Sequence, residues 1–373
     1  MARTLPAARK RLTSIVEAHE RVVRCDDRPL VCNDAVMPVR VLAAPDKFKG
    51  TAAATAVAQA ISAAVGAAGA VCKQVPLADG GEGTLDALGG PNRHTMVSGP
   101  LGDPVHAGWQ LRKGRAVIEM AAASGLQLVG GAEGNDPLAA STYGTGELIT
   151  AALDAGAKEV IVGVGGSATT DGGLGALRAM FPTHRLKGVR LTVACDARIT
   201  FVDAARMFAT QKGATPAQVL LLERRLQRLV QTYVQDHGVD VSEIEGGGAA
   251  GGLAGGLAAV GAEVVSGFEV VAEALGFFDA LAEADLVITG EGFVDEGSFD
   301  GKVVGGVVDA AAELGVPVLV VAGQVFDHVG DRVQCLSLRE RFGETRAWAD
   351  PLGCIGDVLA AELPALLASL PAR

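Results

Sequence analysis

Four short segments concentrate glycine, carboxylate, hydroxyl and lysine groups, each directly after an apolar run. They are Ala44-Pro45-Asp46-Lys47-Phe48-Lys49-Gly50, Asp79-Gly80-Gly81-Glu82-Gly83-Thr84, Gly165-Gly166-Ser167-Ala168-Thr169-Thr170-Asp171-Gly172-Gly173 and Gly290-Glu291-Gly292. Glycine lets a backbone turn tightly and approach a ligand, and neighbouring amides converge on an anion. Carboxylates in the same loops hold a divalent cation or accept a proton. The combination suits phosphoryl transfer, where positioning and charge neutralisation supply most of the catalysis. The best phosphate cradle is the 165–173 segment, through Gly165, Gly166, Ser167, Thr169, Thr170 and Gly172, because a helix is expected just after it. Asp171 in that loop is placed to reach magnesium. Asp196 follows an apolar run at 191–194 and is the first candidate for the base that takes a proton from a substrate hydroxyl. Lys212 is a candidate to neutralise a phosphate or carboxylate.

The elements that must hold these groups alternate. A strand is expected over 39–44, a helix over 51–65, a strand over 71–76 and a helix from Thr84, the pattern of a parallel α/β sheet. From Pro91 the texture changes to short alternating segments around Gly99-Pro100, Asp103-Pro104 and Lys113-Gly114, which predict antiparallel hairpins. Helices are expected over 146–155 and, with Pro216 in its first turn, over 216–237. The α/β pattern returns with strands over 285–289 and 317–322 around a helix over 302–314. The fold class is therefore α/β: a discontinuous sheet domain at 37–90 and 270–373, with an inserted mixed α/β second domain at 91–269. Residues 1–36 read as a poorly ordered N-terminal extension. In open parallel sheets ligands bind beyond the carboxyl ends of strands. Asp46, Lys47 and Lys49, then Asp79 and Glu82, then Glu291 and Asp295, are expected on one such edge. A cleft between the domains is the expected ligand site.

Composition narrows the classes. Hydrophobic residues make up 49% of the 373 residues, enough for large cores, and the 50 glycines follow no fixed repeat. A net charge of −11 argues against nucleic acid as the partner. No uninterrupted apolar run reaches membrane-spanning length, so no membrane partner is expected. Six cysteines without a C-x-x-C pair read as thiols of a reducing cytoplasm. No H-E-x-x-H, G-x-S-x-G or G-x-x-x-x-G-K-[ST] segment is present, so a zinc site, a nucleophile elbow and a P-loop are all disfavoured. The match Gly246, Gly248, Gly251 lacks a preceding strand, which disfavours a dinucleotide-binding dehydrogenase and fits close helix packing or a second phosphate-side loop.

Taken in order, these segments resemble the bacterial glycerate kinase family, the glycerate 2-kinase type with a flavodoxin-like (Rossmann-like) sheet domain and an inserted second domain. Further carriers are Gly99-Pro100-Leu101-Gly102, the stretches 119–126, 141–148, 211–215 and 248–253, and Asp295, Gly301 and Lys302 after Thr289-Gly290-Glu291-Gly292. The resemblance implies ATP- and Mg2+-dependent phosphorylation of D-glycerate, with 2-phosphoglycerate as product. In that reading Asp196 or Asp295 orients or deprotonates the attacking hydroxyl. Magnesium is bridged through Asp79, Glu82 or Asp171, and Lys47, Lys49 or Lys212 offsets transition-state charge. Asp46, Lys49, Lys212 and Glu291 are the expected substrate contacts. The partners are a small-molecule acid and a nucleotide, and a homodimer is admitted.

The chain departs from the family pattern at 197–201, where an Asn-Pro-Leu turn is usual, and at Phe293, where an arginine is typical. Substrate-carboxylate recognition is the feature these departures touch. A kinase for a related hydroxy acid, or a non-catalytic metabolite-binding relative, are the alternatives.

Overall fold

The computed structural model describes residues 38–326, 329 and 332–370; the extension expected at 1–36 lies outside them. Two compact units result. One joins the described residues up to Ala78 to those from Phe268 onward, and the other is Asp79–Gly267.

In the first unit, five strands form a wholly parallel sheet: β1 (Arg40–Ala43), β2 (Val71–Gln74), β9 (Leu286–Val294), β10 (Val318–Val325) and β11 (Gln334–Ser337), in the order β11-β10-β9-β1-β2. This is the flavodoxin-like order, and its direction of growth reverses between β1 and β9. The unbroken apolar run in β10 is explained by burial on both faces. Leu319 and Val321 pack into a core with Ile61, Ile355 and Leu359, while Val320 and Ala322 face a second core with Val294 and Val304. The helix expected over 51–65 starts later, at Ala54–Ala67, because Phe48 and Ala52 first exchange backbone hydrogen bonds across a tight turn. Thr51 serves that turn, donating its hydroxyl to the Phe48 carbonyl.

The terminal helix Pro351–Ser369 is long and apolar enough to cross a bilayer by length and composition. Asp357, Glu362 and Pro364 interrupt its apolar sequence, and Cys354, Ile355, Val358, Leu359 and Leu363 face the core of this unit.

In the second unit, six strands run β3 (Arg93–Ser98), β4 (Pro104–Arg112), β5 (Arg115–Glu119), β6 (Glu159–Gly163), β7 (Arg190–Cys195) and β8 (Glu263–Ser266), neighbours in chain order. β3, β4 and β5 pair antiparallel and β5 to β8 pair parallel. The β4–β5 hairpin turns on Lys113 and Gly114, both at positive φ, as a two-residue turn matched to strand twist requires. Helix Pro216–His237 begins with a complete capping box between Thr215 and Gln218 and proline at its start. The helix expected over 146–155 begins earlier, at Tyr143.

Candidate active site

The carboxyl ends of β5, β6 and β7 gather most of the chemistry in the second unit. The Asp79–Gly83 loop, expected on the same edge as Asp46 and Glu291, belongs to this unit and lies over β6 and β7. Its backbone touches theirs directly. A Cβ on Gly80, which has φ +87°, would fall 2.9 Å from the Ala194 carbonyl oxygen, and one on Gly165 would fall 2.8 Å from Gly81 Cα. Only glycine permits that approach. Asp79 Oδ1 accepts the Gly81 amide at 3.0 Å, fixing the turn, while Glu82 is exposed. Glu119, at the end of β5, accepts the Gly83 amide at 3.0 Å and the Leu85 amide at 2.7 Å. It thereby caps the short helix Thr84–Ala87. Burial pushes its carboxyl above the usual carboxylate range, against the two backbone hydrogen bonds.

The 165–173 loop is held from within. Asp171 is buried, and its carboxylate accepts the amides of Thr142 at 2.9 Å, Gly173 at 3.1 Å and Gly175 at 3.1 Å, together with the Thr142 hydroxyl. These donors occupy both oxygens, so geometry favours a loop-positioning role for Asp171 over a place on a cation. Ser167 and Thr169 share a hydroxyl hydrogen bond at 3.0 Å. Thr170 Oγ1 is buried and has no hydrogen-bond partner among the described residues. A buried hydroxyl without a partner costs free energy, and an anion accepting from it relieves that cost.

Behind the loop, Lys212 is only 4% exposed and donates its ammonium to the Thr169 carbonyl at 2.6 Å. Burial lowers its pKa to about 8, and the Asp171 charge works in the opposite sense. Asn135 ties the two segments together, its amide donating to the Ala168 carbonyl at 3.0 Å and the Lys212 carbonyl at 2.8 Å. Sequence reasoning missed Asn135. The available signal was its place in Asn135-Asp136-Pro137, which reads equally well as an ordinary turn. The 246–256 glycine-rich stretch packs against the same loop. Within it Ala250, Gly251 and Gly252 take left-handed conformations inside helix Ala249–Ala259, and a Cβ on Gly251 would fall 2.0 Å from the Thr169 carbonyl oxygen. Of the two sequence readings for that stretch, close packing describes the geometry.

Asp196 stands directly after β7, half-buried. Its charge and that of Asp79 both act on the Cys195 thiol, which burial above all pushes up to about 12. Two carboxylates therefore flank one strand end beside the 165–173 loop. Among the described residues no three His, Cys, Asp or Glu side chains converge as a ready-made metal cage. One or two carboxylates completed by phosphate oxygens are the usual arrangement for Mg2+, and Asp79 with the exposed Glu82 on the same loop fits that donor chemistry.

In the first unit, the 44–50 loop and the end of β9 lie side by side at the sheet's carboxyl edge. The Asp46 amide donates to the Gly290 carbonyl at 2.8 Å and the Thr289 hydroxyl to the Ala44 carbonyl at 2.7 Å. Asp46 is buried, with Lys47 Nζ 3.8 Å from its Oδ1, and Lys49 is exposed. Glu291 is half-buried beside them. Asp295 is exposed and caps the turn Glu296–Phe299, accepting the Ser298 amide at 3.0 Å. That bond engages the Asp295 carboxylate locally.

Comparison with known proteins adds an independent finding. The model of the glycerate kinase family matches residues 41–181 and 182–342. The chain is 40% identical over 332 aligned positions to the glycerate 2-kinase of Escherichia coli K12, covering 78% of this chain and 87% of that one. It is 39% identical over 335 positions to the glycerate kinase of Halalkalibacterium halodurans, covering 77% of this chain and 88% of that one. A crystal structure from Salmonella typhimurium LT2, provisionally described as glycerate kinase 2, superposes with a TM-score of 0.75 at 34% identity, over 89% of this chain and all of that one.

Proposed function

The chain belongs to the glycerate kinase family, and from that premise we propose that it is an ATP- and Mg2+-dependent kinase that phosphorylates D-glycerate to 2-phosphoglycerate. The observation carrying this reading is the convergence of the 165–173 loop, Asp79 and Asp196 on the carboxyl ends of β6 and β7. A small alcohol, a phosphate chain and a divalent cation need that set of donors and acceptors in one place.

Asp196 accepts the proton of the attacking hydroxyl, and its half-buried position leaves the carboxylate within reach of a bound substrate. Ser167, Thr169, Thr170 and the amides of Gly165 and Gly166 receive phosphate oxygens, while Gly172 shapes the turn with its amide donated to the Gly251 carbonyl at 3.0 Å. Thr170 supplies a hydroxyl that folding leaves without a partner. Lys212, too deeply buried to meet a substrate carboxylate, places positive charge behind the cradle and holds the Thr169 carbonyl out of the anion's path. Asp79 is the principal magnesium ligand in this reading, with Glu82 more exposed; the bound ion would neutralise charge shared between the phosphates. Lys47 and Lys49 are the accessible cations for a substrate anion, with Asp46 and Glu291 fixing their surroundings. The four cysteines free among the described residues, Cys72, Cys195, Cys335 and Cys354, accord with a reducing cytoplasm.

The test is ADP release from ATP on addition of D-glycerate and magnesium, with the product read by phosphorus NMR. A phosphorus resonance coupled to the C2 proton is the expected result. Coupling to C3 protons would overturn the regiochemistry, and absence of ADP release would overturn the kinase reading.

A further inference from the structure

The first unit carries a groove of which the chemistry above uses only Lys49. It holds about 520 Å³ of space between its walls, open solvent at its mouth included. It sits at the carboxyl edge of the parallel sheet, where β1 and β9 part and the direction of sheet growth reverses. The floor is backbone: a Cβ on Gly323 would fall 2.5 Å from the Gly292 carbonyl oxygen. That flat floor is walled by Trp348, 57% exposed, and Phe293, 44% exposed. Large aromatic rings left in water beside an unfilled concavity mark a binding surface more often than isolated exposed residues do.

The rim is polar and two-sided. Lys49 supplies a cation on one side. On the other, Arg339 donates to Gln324 Oε1 at 2.7 Å and lies 2.8 Å from Glu344 Oε2, an ordered edge of donors and acceptors. A flat heteroaromatic ring with hydrogen-bonding edges matches this set: the ring against the aromatic walls, its edge toward Gln324, Arg339 and Glu344. We propose that this groove, bounded by Trp348, Phe293 and Lys49, seats the purine base of the nucleotide substrate. The assignment rests on the kinase reading, which requires a nucleotide, and adds where its base is held.

Tryptophan makes the test direct. The chain has two tryptophans, and the other, Trp109, is buried with its indole N–H donated to Thr95. Iodide therefore quenches Trp348 selectively in the full-length wild-type protein. ADP and adenosine should each shield Trp348 from iodide with saturation, and D-glycerate should not. Trp348→Ala, an exposed substitution that leaves the core intact, should raise KM for ATP about tenfold with kcat within about twofold, the range for losing one stacking partner of a base. Binding of ADP seen by calorimetry without shielding of Trp348, or an unchanged KM for ATP in Trp348→Ala, overturns the assignment while leaving the kinase reading standing. Shielding by D-glycerate instead of adenosine also overturns it. Shielding by ADP in a protein that never phosphorylates D-glycerate supports the groove and removes the kinase reading, so the two fail separately.

Discussion

The Lys212 ammonium donates to the Thr169 carbonyl at 2.6 Å from a site that is almost entirely closed to water. A cation held behind the 165–173 loop in this way is sensitive to pH, because burial has moved its proton affinity toward the working range.

Lys212 titrates near pH 8 in the folded chain against 10.5 as its ordinary value. Between those limits the unfolded chain binds more protons, so this group makes stability rise as pH climbs from about 8 to 10.5. Activity should move the other way. The profile of kcat/KM should fall with a midpoint near pH 8, and Lys212→Arg, which stays charged, should carry that limb to higher pH. In Lys212→Met, denaturant unfolding should lose the stability increment across the same window. A wild-type profile flat to pH 9.5 would remove Lys212 from the reaction.

Asp196→Asn should lower kcat by about 10² to 10⁴, the usual range for losing a general base, with ADP affinity changed less than about threefold. Turnover and calorimetry on the same preparation make the comparison. Equal losses in both would assign Asp196 to nucleotide binding.

Asp171→Asn separates loop positioning from metal binding. It leaves the amides of Gly173, Gly175 and Thr142 competing for one oxygen, with the new amide donors facing backbone N–H groups. A stability loss of about 3 kcal/mol is expected, by analogy with other broken buried charge networks. Urea titration should show it with magnesium and nucleotide both absent. A fully stable variant that requires more magnesium for turnover would return Asp171 to the cation.

Glu119→Gln tests a capping carboxyl whose pKa burial has raised. In the wild type the folded chain holds this proton more tightly than the unfolded one, so the stability it lends is complete below about pH 4.5 and declines as pH rises through the folded value. Glutamine retains an acceptor for the Gly83 and Leu85 amides without that decline. Thermal melts should show the variant at least as stable as wild type at pH 7, with its advantage shrinking toward pH 4.5. A large loss at pH 7 would mean that the charged form is needed.

Much of this architecture was readable from local chemistry. Lys113-Gly114 marks the β4–β5 hairpin, whose turn takes two positive φ angles, and Pro216 marks a helix start that the structure secures with a Thr215–Gln218 capping box. The apolar run at the core of β10 announces a strand covered on both faces. The position of the Asp79 loop was not readable in the same way. It follows β2 in the chain, yet its neighbours are Ala194 and Gly165, and the contact is encoded by the absence of side chains, a signal that glycine in any turn also gives. Asn135 was hidden for a related reason: its partners, the carbonyls of Ala168 and Lys212, are backbone atoms far along the chain and leave no compositional trace. Trp348 and Arg339 sit on short helices near the end of the chain, and nothing in their spacing links them to the residues after β1.

The interleaving of the first unit's strands has a consequence during synthesis. β1 is translated before the Asp79–Gly267 unit, but its neighbour β9 comes more than 200 residues later, after the whole of that unit. Until then one side of β1 presents unpaired amides and carbonyls on an apolar ribbon, a template for adhesion between nascent chains. The continuous unit can complete itself first, and the flavodoxin-like sheet must wait for β9, β10 and β11. Premature termination before Leu286 should therefore give insoluble fragments even though the 79–267 segment is whole.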